Sequence, residues 1–161
     1  MFYDKIDIRG DIMNLKIREA NINDIDNGLL EVFIEGYRYH QKGRPDIFVN
    51  LSDEELKNDL IQNLDRLSTI VILDDEHIVG YLSYIIKKNH TGKLNVDQLV
   101  ILERYRGKGL GKKLMDEAKK IAQENGCDRI ELNCWLFNEN AIKMYEQIGF
   151  DKQRIIFEKM L

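Results

Sequence analysis

Three glycines fall within five residues of Arg106-Gly107-Lys108-Gly109-Leu110-Gly111. The run stands between a stretch of β-branched and leucine residues, 94–102, and a strongly amphipathic one. Glycine loses more backbone entropy on folding than any other residue, so three at one junction mark a turn with a special task. Beyond it Leu110, Leu114, Ala118, Ile121 and Ala122 fall on one helical stripe, with lysines and acids opposite, until Asn125-Gly126 closes the helix. A strand, a glycine turn and an amphipathic helix in that order place the chain among mixed α/β (α+β) folds.

The remaining elements follow from local pattern. A strand is expected over 15–20. A polar start at 21–24 precedes apolar positions Ile25, Leu29, Leu30, Phe33, Ile34 and Tyr37 at helical spacing. Residues 40–46 contain Gly43 and Pro45 and read as a loop. Ser52 and Glu55 form a capping box for a second helix, to about Asn63. Strands at 69–73 and 78–87 are joined by the acidic turn 74–77 into a hairpin. After the amphipathic helix, a strand at 129–135, a helix at 138–148 and a terminal hairpin arm at 154–161 complete a βααβββαβαβ order.

With 161 residues, 43% apolar and 32% charged, and a single proline, the chain suits one domain, expected over 13–161. Residues 1–12 have no clear period and are expected to be an N-terminal extension. The purine-rich codons that Arg9-Gly10-Asp11-Ile12 permits ahead of Met13 suggest a misplaced start; pyrimidine-rich codons there would overturn that. A net charge of -4 argues against a nucleic-acid binder and suits an amine substrate. Cys127 and Cys134 have no metal-ligand spacing and read as buried thiols of a cytoplasmic protein. The most apolar runs, 69–73 and 78–86, are too short or too interrupted to span a bilayer, so no membrane partner is expected.

A helix start leaves backbone N–H groups unpaired and carries partial positive charge, and glycines there let a phosphate approach without Cβ obstruction. The chain is not a P-loop: Arg106 stands where the first glycine must be, and Lys113 follows Gly111-Lys112. A dinucleotide fingerprint from Gly107 needs a third glycine where Lys112 stands. A dinucleotide-dependent oxidoreductase would reveal itself by binding NAD but not CoA.

Arg106, Gly109 and Gly111 match Arg/Gln-x-x-Gly-x-Gly/Ala, and Asn138-x-x-Ala141-x-x-Met144-Tyr145-x-x-x-Gly149-Phe150 forms a second motif. In both the chain resembles the GNAT superfamily of N-acetyltransferases, from about Met13 to its end. That resemblance implies a mixed, mostly antiparallel sheet with splayed fourth and fifth strands, flanked by about four helices. It implies acetyl-CoA as acyl donor and a primary amine of a small molecule or peptide as acceptor, with direct transfer in a ternary complex. The pantetheine arm would pair with the strand at Leu99, Val100 and Ile101, and the diphosphate would lie on Arg106, Gly107, Lys108, Gly109, Leu110, Gly111 and Lys112. The N–H of Ile101 would meet the developing oxyanion. Asn138 has two readings, helix N-cap and cofactor contact.

By the same resemblance Tyr145 would serve the departing thiolate. An amine of pKa about 10.4 is nearly all protonated at pH 7, so a proton must be taken. Asp97, Glu131 and water beside Asn133 are the candidates; Asn133 stands where some members carry a carboxylate. Substrate choice would fall to Tyr37, His40, Arg44 and Asp46. A non-catalytic acyl-CoA sensor or scaffold of the same fold is the alternative, and monomer or homodimer is left open.

Overall fold

The computed structural model describes residues 3–6, 12–88 and 91–160. Its strands are β1 (Tyr3–Ile6), β2 (Ile12–Glu19), β3 (Ser68–Asp74), β4 (His77–Lys88), β5 (Gly92–Ile101) and β6 (Arg129–Leu132). They form one sheet in that spatial order, antiparallel throughout except for the parallel pair β5 and β6. The helices are α1 (Leu30–Gly43), α2 (Asp53–Arg66), α3 (Leu110–Glu124) and α4 (Glu139–Gln147). The mixed, mostly antiparallel sheet with four helices agrees with the sequence expectation.

Alternation along the strands supplies two cores, one on each face of the sheet. On one face Val32, Phe33, Leu56 and Leu60 of α1 and α2 bury Val71, Leu73, Ile78 and Tyr81. On the other Leu110, Leu114, Met115, Ala118 and Ala122 of α3 cover Ile70, Ile72, Val79 and Leu82. The approach of α1 is close, since a Cβ on Gly36 would lie 2.9 Å from the Val100 side chain.

Local chemistry fixes the element ends. Ser52 Oγ accepts from Glu55 N–H at 3.3 Å and Glu55 accepts from Ser52 N–H at 2.8 Å, the expected capping box. Between β2 and α1, buried Asp24 accepts two 2.7 Å bonds from Arg18 and a third from Asn21 N–H. That arrangement holds the carboxyl below its ordinary pKa, first through the Arg18 bond. The entry to α1 is not the continuous helix expected from Ile25. A 3-10 turn at Ile22–Asp24 and a wide turn at Ile25–Leu29 precede it, with Gly28 at φ 106°.

Four further expectations need correcting. α1 continues through His40–Gly43 because only Arg44, the residue before Pro45, is forced out of helical conformation, at φ -141°. The strand expected over 129–135 stops at Leu132, whose partner Val96 is the last residue of β5 that it pairs with. Residues 151–160 form no strand, so the expected terminal arm is absent; position 161 lies outside the described residues. Cys127 and Cys134 are half-buried rather than buried. At the other end Tyr3–Ile6 pairs with β2, while residues 7–11, most of the start suspected there, lie outside the described residues. No helix among the described residues is long and apolar enough to cross a membrane.

Candidate active site

The site begins with one extra residue. Pairing of β4 with β5 steps from Ser83 opposite Gln98 to Tyr84 opposite Val96, leaving Asp97 as the extra residue of a bulge. Ser83 Oγ is left buried without a hydrogen-bond partner there. Val96 is also the last residue of β5 that β6 reaches, opposite Leu132. From Asp97 onward β5 therefore runs with one edge on β4 and the other on a gap. Leu102 N–H bonds Val79 O on β4, so the backbone groups of Leu99 and Ile101 point the opposite way, into the gap.

The gap leads to the glycine turn. Gly107 and Gly109 have φ 77° and 79°, which explains two of the three glycines, and a Cβ on either would meet nothing within 4 Å. Gly111 serves packing instead, as its Cβ would lie 3.0 Å from Met144 Sδ and 4.0 Å from Leu99 Cδ2. Strand β5, the start of α3 and α4 thus converge at Gly111. The first inward-turned donor of α3 is Lys113 N–H, on Gly109 O at 3.1 Å. Leu110, Gly111 and Lys112 present N–H groups without an intrahelical acceptor, beside open space. That is a fit for an anion.

The basic side chains behave differently from the backbone. Arg106 folds back, its Nε donating to Ile101 O at 2.9 Å and its guanidinium lying 5.2 Å over the Tyr39 ring. Lys108 lies 5.2 Å over the Tyr105 ring, and Lys112 is exposed. Asn138 is the N-cap of α4, accepting from Ala141 N–H at 3.4 Å, and it also accepts from Tyr39 Oη at 3.3 Å.

Tyr145 packs with Phe150, ring centroids 5.8 Å apart, and its hydroxyl bonds to none of the described residues. Burial, and secondarily Cys134, push its phenol well above the ordinary value, so it keeps its proton. The two candidate acids differ sharply. Glu131 is held by Lys93, with Arg129 at 3.4 Å and Arg154 at 3.8 Å, and the Lys93 bond chiefly lowers its pKa. A carboxylate so held is a weak base. Asp97 is exposed at the bulge and has no ion pair among the described residues.

Aromatic rings that spacing alone does not link meet beyond the gap. Phe48 contacts Tyr37 at 5.7 Å and Trp135 at 6.0 Å, and Trp135 stacks on Phe137 at 6.3 Å. Arg44 lies 5.0 Å over Trp135 and binds both Asp46 and Glu158. Tyr37 donates to Val49 O and His40 Nδ1 lies 2.9 Å from Gly36 O, so these side chains brace the rim. Trp135 and Phe137 went unnoticed in sequence because one closes what reads as a strand and the other lies between that strand and the next helix.

Comparisons with known proteins agree with this architecture. The profile of the Acetyltransferase (GNAT) family matches residues 32–150. A probable glucosamine 6-phosphate N-acetyltransferase of Drosophila melanogaster is 24% identical over 143 residues, 84% of this chain and 60% of that protein. Spermine/spermidine N(1)-acetyltransferase of Bacillus subtilis (strain 168) is 35% identical over 79 residues, 45% of this chain and 52% of that one. The chain spans about half the length of such curated relatives. Among solved structures, aminoglycoside N-acetyltransferase AAC(6′)-Iy in complex with CoA has a TM-score of 0.72 at 16% identity, covering 92% of this chain and 95% of that one. This last likeness is one of fold.

Proposed function

The chain belongs to the acetyltransferase (GNAT) family, and from that premise we propose that it moves an acetyl group from acetyl-CoA to a primary amine by direct transfer in a ternary complex. The observation that carries this reading is the free edge of β5 running from the Asp97 bulge toward the glycine start of α3. An extended amide chain that ends in a phosphate fits such a track, pairing as an added strand at one end and capping a helix at the other. Acetyl-CoA would supply an activated thioester carbon, open to attack by a neutral nitrogen.

The chain's own residues have separable tasks. Leu99 offers backbone N–H and C=O groups to the pantetheine amides, with Val100 anchoring the strand beneath α1. Ile101 keeps only its N–H available, since its carbonyl is taken by Arg106. That N–H is our assignment for the carbonyl oxygen as it gains charge. The N–H groups of Leu110, Gly111 and Lys112 take the diphosphate, with Gly107 and Gly109 setting the turn and Lys108 and Lys112 adding attraction. Arg106 acts by bracing β5 against α1. Tyr145 Oη holds a proton for the departing thiol, and this intact donor favours an enzyme over a non-catalytic acyl-CoA binder. Asp97, rather than Glu131, receives the amine's proton through water. The aromatic rim around Trp135 bounds the acceptor. Two unpaired cysteines suit the reducing cytoplasm.

The test is thiol release from acetyl-CoA across polyamines, aminoglycosides, amino acids and peptides. Release with one class is expected; tight acetyl-CoA binding with turnover of none would return the protein to a sensor. Gly109→Asn tests the cradle, because asparagine tolerates the left-handed conformation and projects a side chain into the open space before the helix. Calorimetry should show acetyl-CoA binding weakened by about tenfold, roughly one charge-assisted hydrogen bond, in a folded variant.

A further inference from the structure

α1 reaches both sides of the gap beside β5, and two glycines mark where it touches each. A Cβ on Gly36 would lie 2.9 Å from the Val100 side chain, so that turn rests on β5. Two turns later a Cβ on Gly43 would lie 2.5 Å from the Phe137 ring, in the segment that leads from β6 to α4. Tyr39 stands between them, one turn beyond Gly36, and engages both sides at once. The Arg106 guanidinium lies 5.2 Å over its ring, and Arg106 Nε donates to Ile101 O at 2.9 Å. Its hydroxyl lies 3.3 Å from Asn138 Oδ1.

The donors fix the direction of each bond. A backbone N–H can only donate, so the Asn138 atom 3.4 Å from Ala141 N is the amide oxygen, and the Tyr39 hydroxyl must donate to it as well. Oδ1 therefore accepts twice from the protein, while Nδ2, on the other arm of the amide, has no hydrogen-bond partner among the described residues. Ile101, on the opposite wall, is left in a matching condition: Arg106 occupies its carbonyl oxygen, and its N–H faces the gap. Both walls thus have an acceptor occupied and a donor left over. Such a lining suits carbonyl oxygens, each of which needs a donor.

We propose that Tyr39 is a positioning residue which, through Asn138 and Arg106, leaves the gap lined with donors for the carbonyl oxygens of an acyl-pantetheine chain. The inference rests on the acetyltransferase reading above. The hydroxyl fixes the Asn138 amide so that Nδ2 donates to a pantetheine amide carbonyl. Without it the amide is held by the Ala141 bond alone, which is long at 3.4 Å. The ring holds the Arg106 that occupies Ile101 O, so the thioester oxygen meets the Ile101 N–H with no free carbonyl competing beside it. The two parts of one side chain therefore have different consequences: the hydroxyl governs binding of the arm, and the ring governs turnover.

A double-mutant cycle read by calorimetry of acetyl-CoA binding tests the hydroxyl. Tyr39→Phe should weaken binding about fivefold, the value of one neutral hydrogen bond. Asn138→Ser keeps an N-cap oxygen for Ala141 and removes the amide donor, so it should lose at least as much. Adding Tyr39→Phe to Asn138→Ser should cost nothing further. In steady-state assays Tyr39→Phe should raise KM for acetyl-CoA and leave kcat in place. Tyr39→Leu, which also removes the ring, should lower kcat about tenfold, less than the roughly hundredfold loss of a whole oxyanion donor. Wild-type affinity in Tyr39→Phe, additive losses in the double variant, or equal kcat in Tyr39→Leu and Tyr39→Phe would each overturn the proposal and leave the acetyltransferase reading intact. A wild-type protein that binds no acetyl-CoA would overturn both.

Discussion

α3 and α4 are both short amphipathic helices, and they meet at Gly111, where α3 begins against Met144 of α4. Five residues of α3 are buried and none of α4. The contrast extends beyond the helices: no described residue after Ala122 is fully buried, although that part of the chain holds Asn138 and Tyr145. The earlier part is a scaffold that closes its own two cores. The later part holds the residues proposed to carry chemistry, on a surface that the scaffold only half covers.

The largest effect expected from this contrast is in the scaffold. Leu114→Ala removes a wholly buried side chain and should cost about 3 kcal/mol in urea titrations, lowering Tm by roughly 6–12 °C. Met144→Ala on α4 should cost less than about 1 kcal/mol by the same measurement. Equal losses would erase the distinction between the two helices.

A slightly smaller energy should appear in turnover instead of stability. Tyr145→Phe keeps the ring and removes one oxygen, so kcat should fall about a hundredfold, the low end for a general acid. KM for acetyl-CoA and Tm should hardly move, since the contact strengthens only as sulfur gains charge. An unchanged kcat in steady-state assays would make Tyr145 a packing residue.

The next effect is again a scaffold property. Asp24→Asn should cost about 2 kcal/mol at neutral pH, below the full loss for a buried pair because Arg18 is one-third exposed. Asp24 has a lowered folded pKa, so its contribution is present above the ordinary value of 3.8 and fades as pH falls through the depressed one. Urea titrations should therefore find the gap between wild type and variant closing below about pH 4.

The scaffold was legible in sequence where local chemistry decides the outcome. Ser52 with Glu55, the stripe from Leu110 to Ala122, and the turn at Asp74–His77 need only neighbours a few residues away. The glycine turn was legible as a special turn for the same reason, though Gly111 proved to be spaced for Met144, which no local rule reveals. Strand ends were not legible: Asn133–Trp135 alternates as well as Arg129–Leu132 does, and only the partner strand β5, with its bulge just beyond Val96, marks where pairing stops. The bulge at Asp97 and the exposure of 151–160 likewise depend on which strand lies alongside. Pro45 was overread, because its constraint reaches back one residue and leaves His40 free to be helical.

The extra residue at Asp97 also acts as a change of phase. Before it, Leu94 and Val96 look toward α3; after it, Leu99 and Ile101 do, while Val100 turns to α1. Even positions hand over to odd ones within a single strand. Were Asp97 to enter an ordinary ladder instead of bulging, every later side chain would fall on the wrong side of the sheet, and the backbone groups of Leu99 and Ile101 would swing from the gap onto β4. The same count of residues therefore sets both the packing of the two cores and the direction in which β5 offers its free edge, so neither can drift without the other.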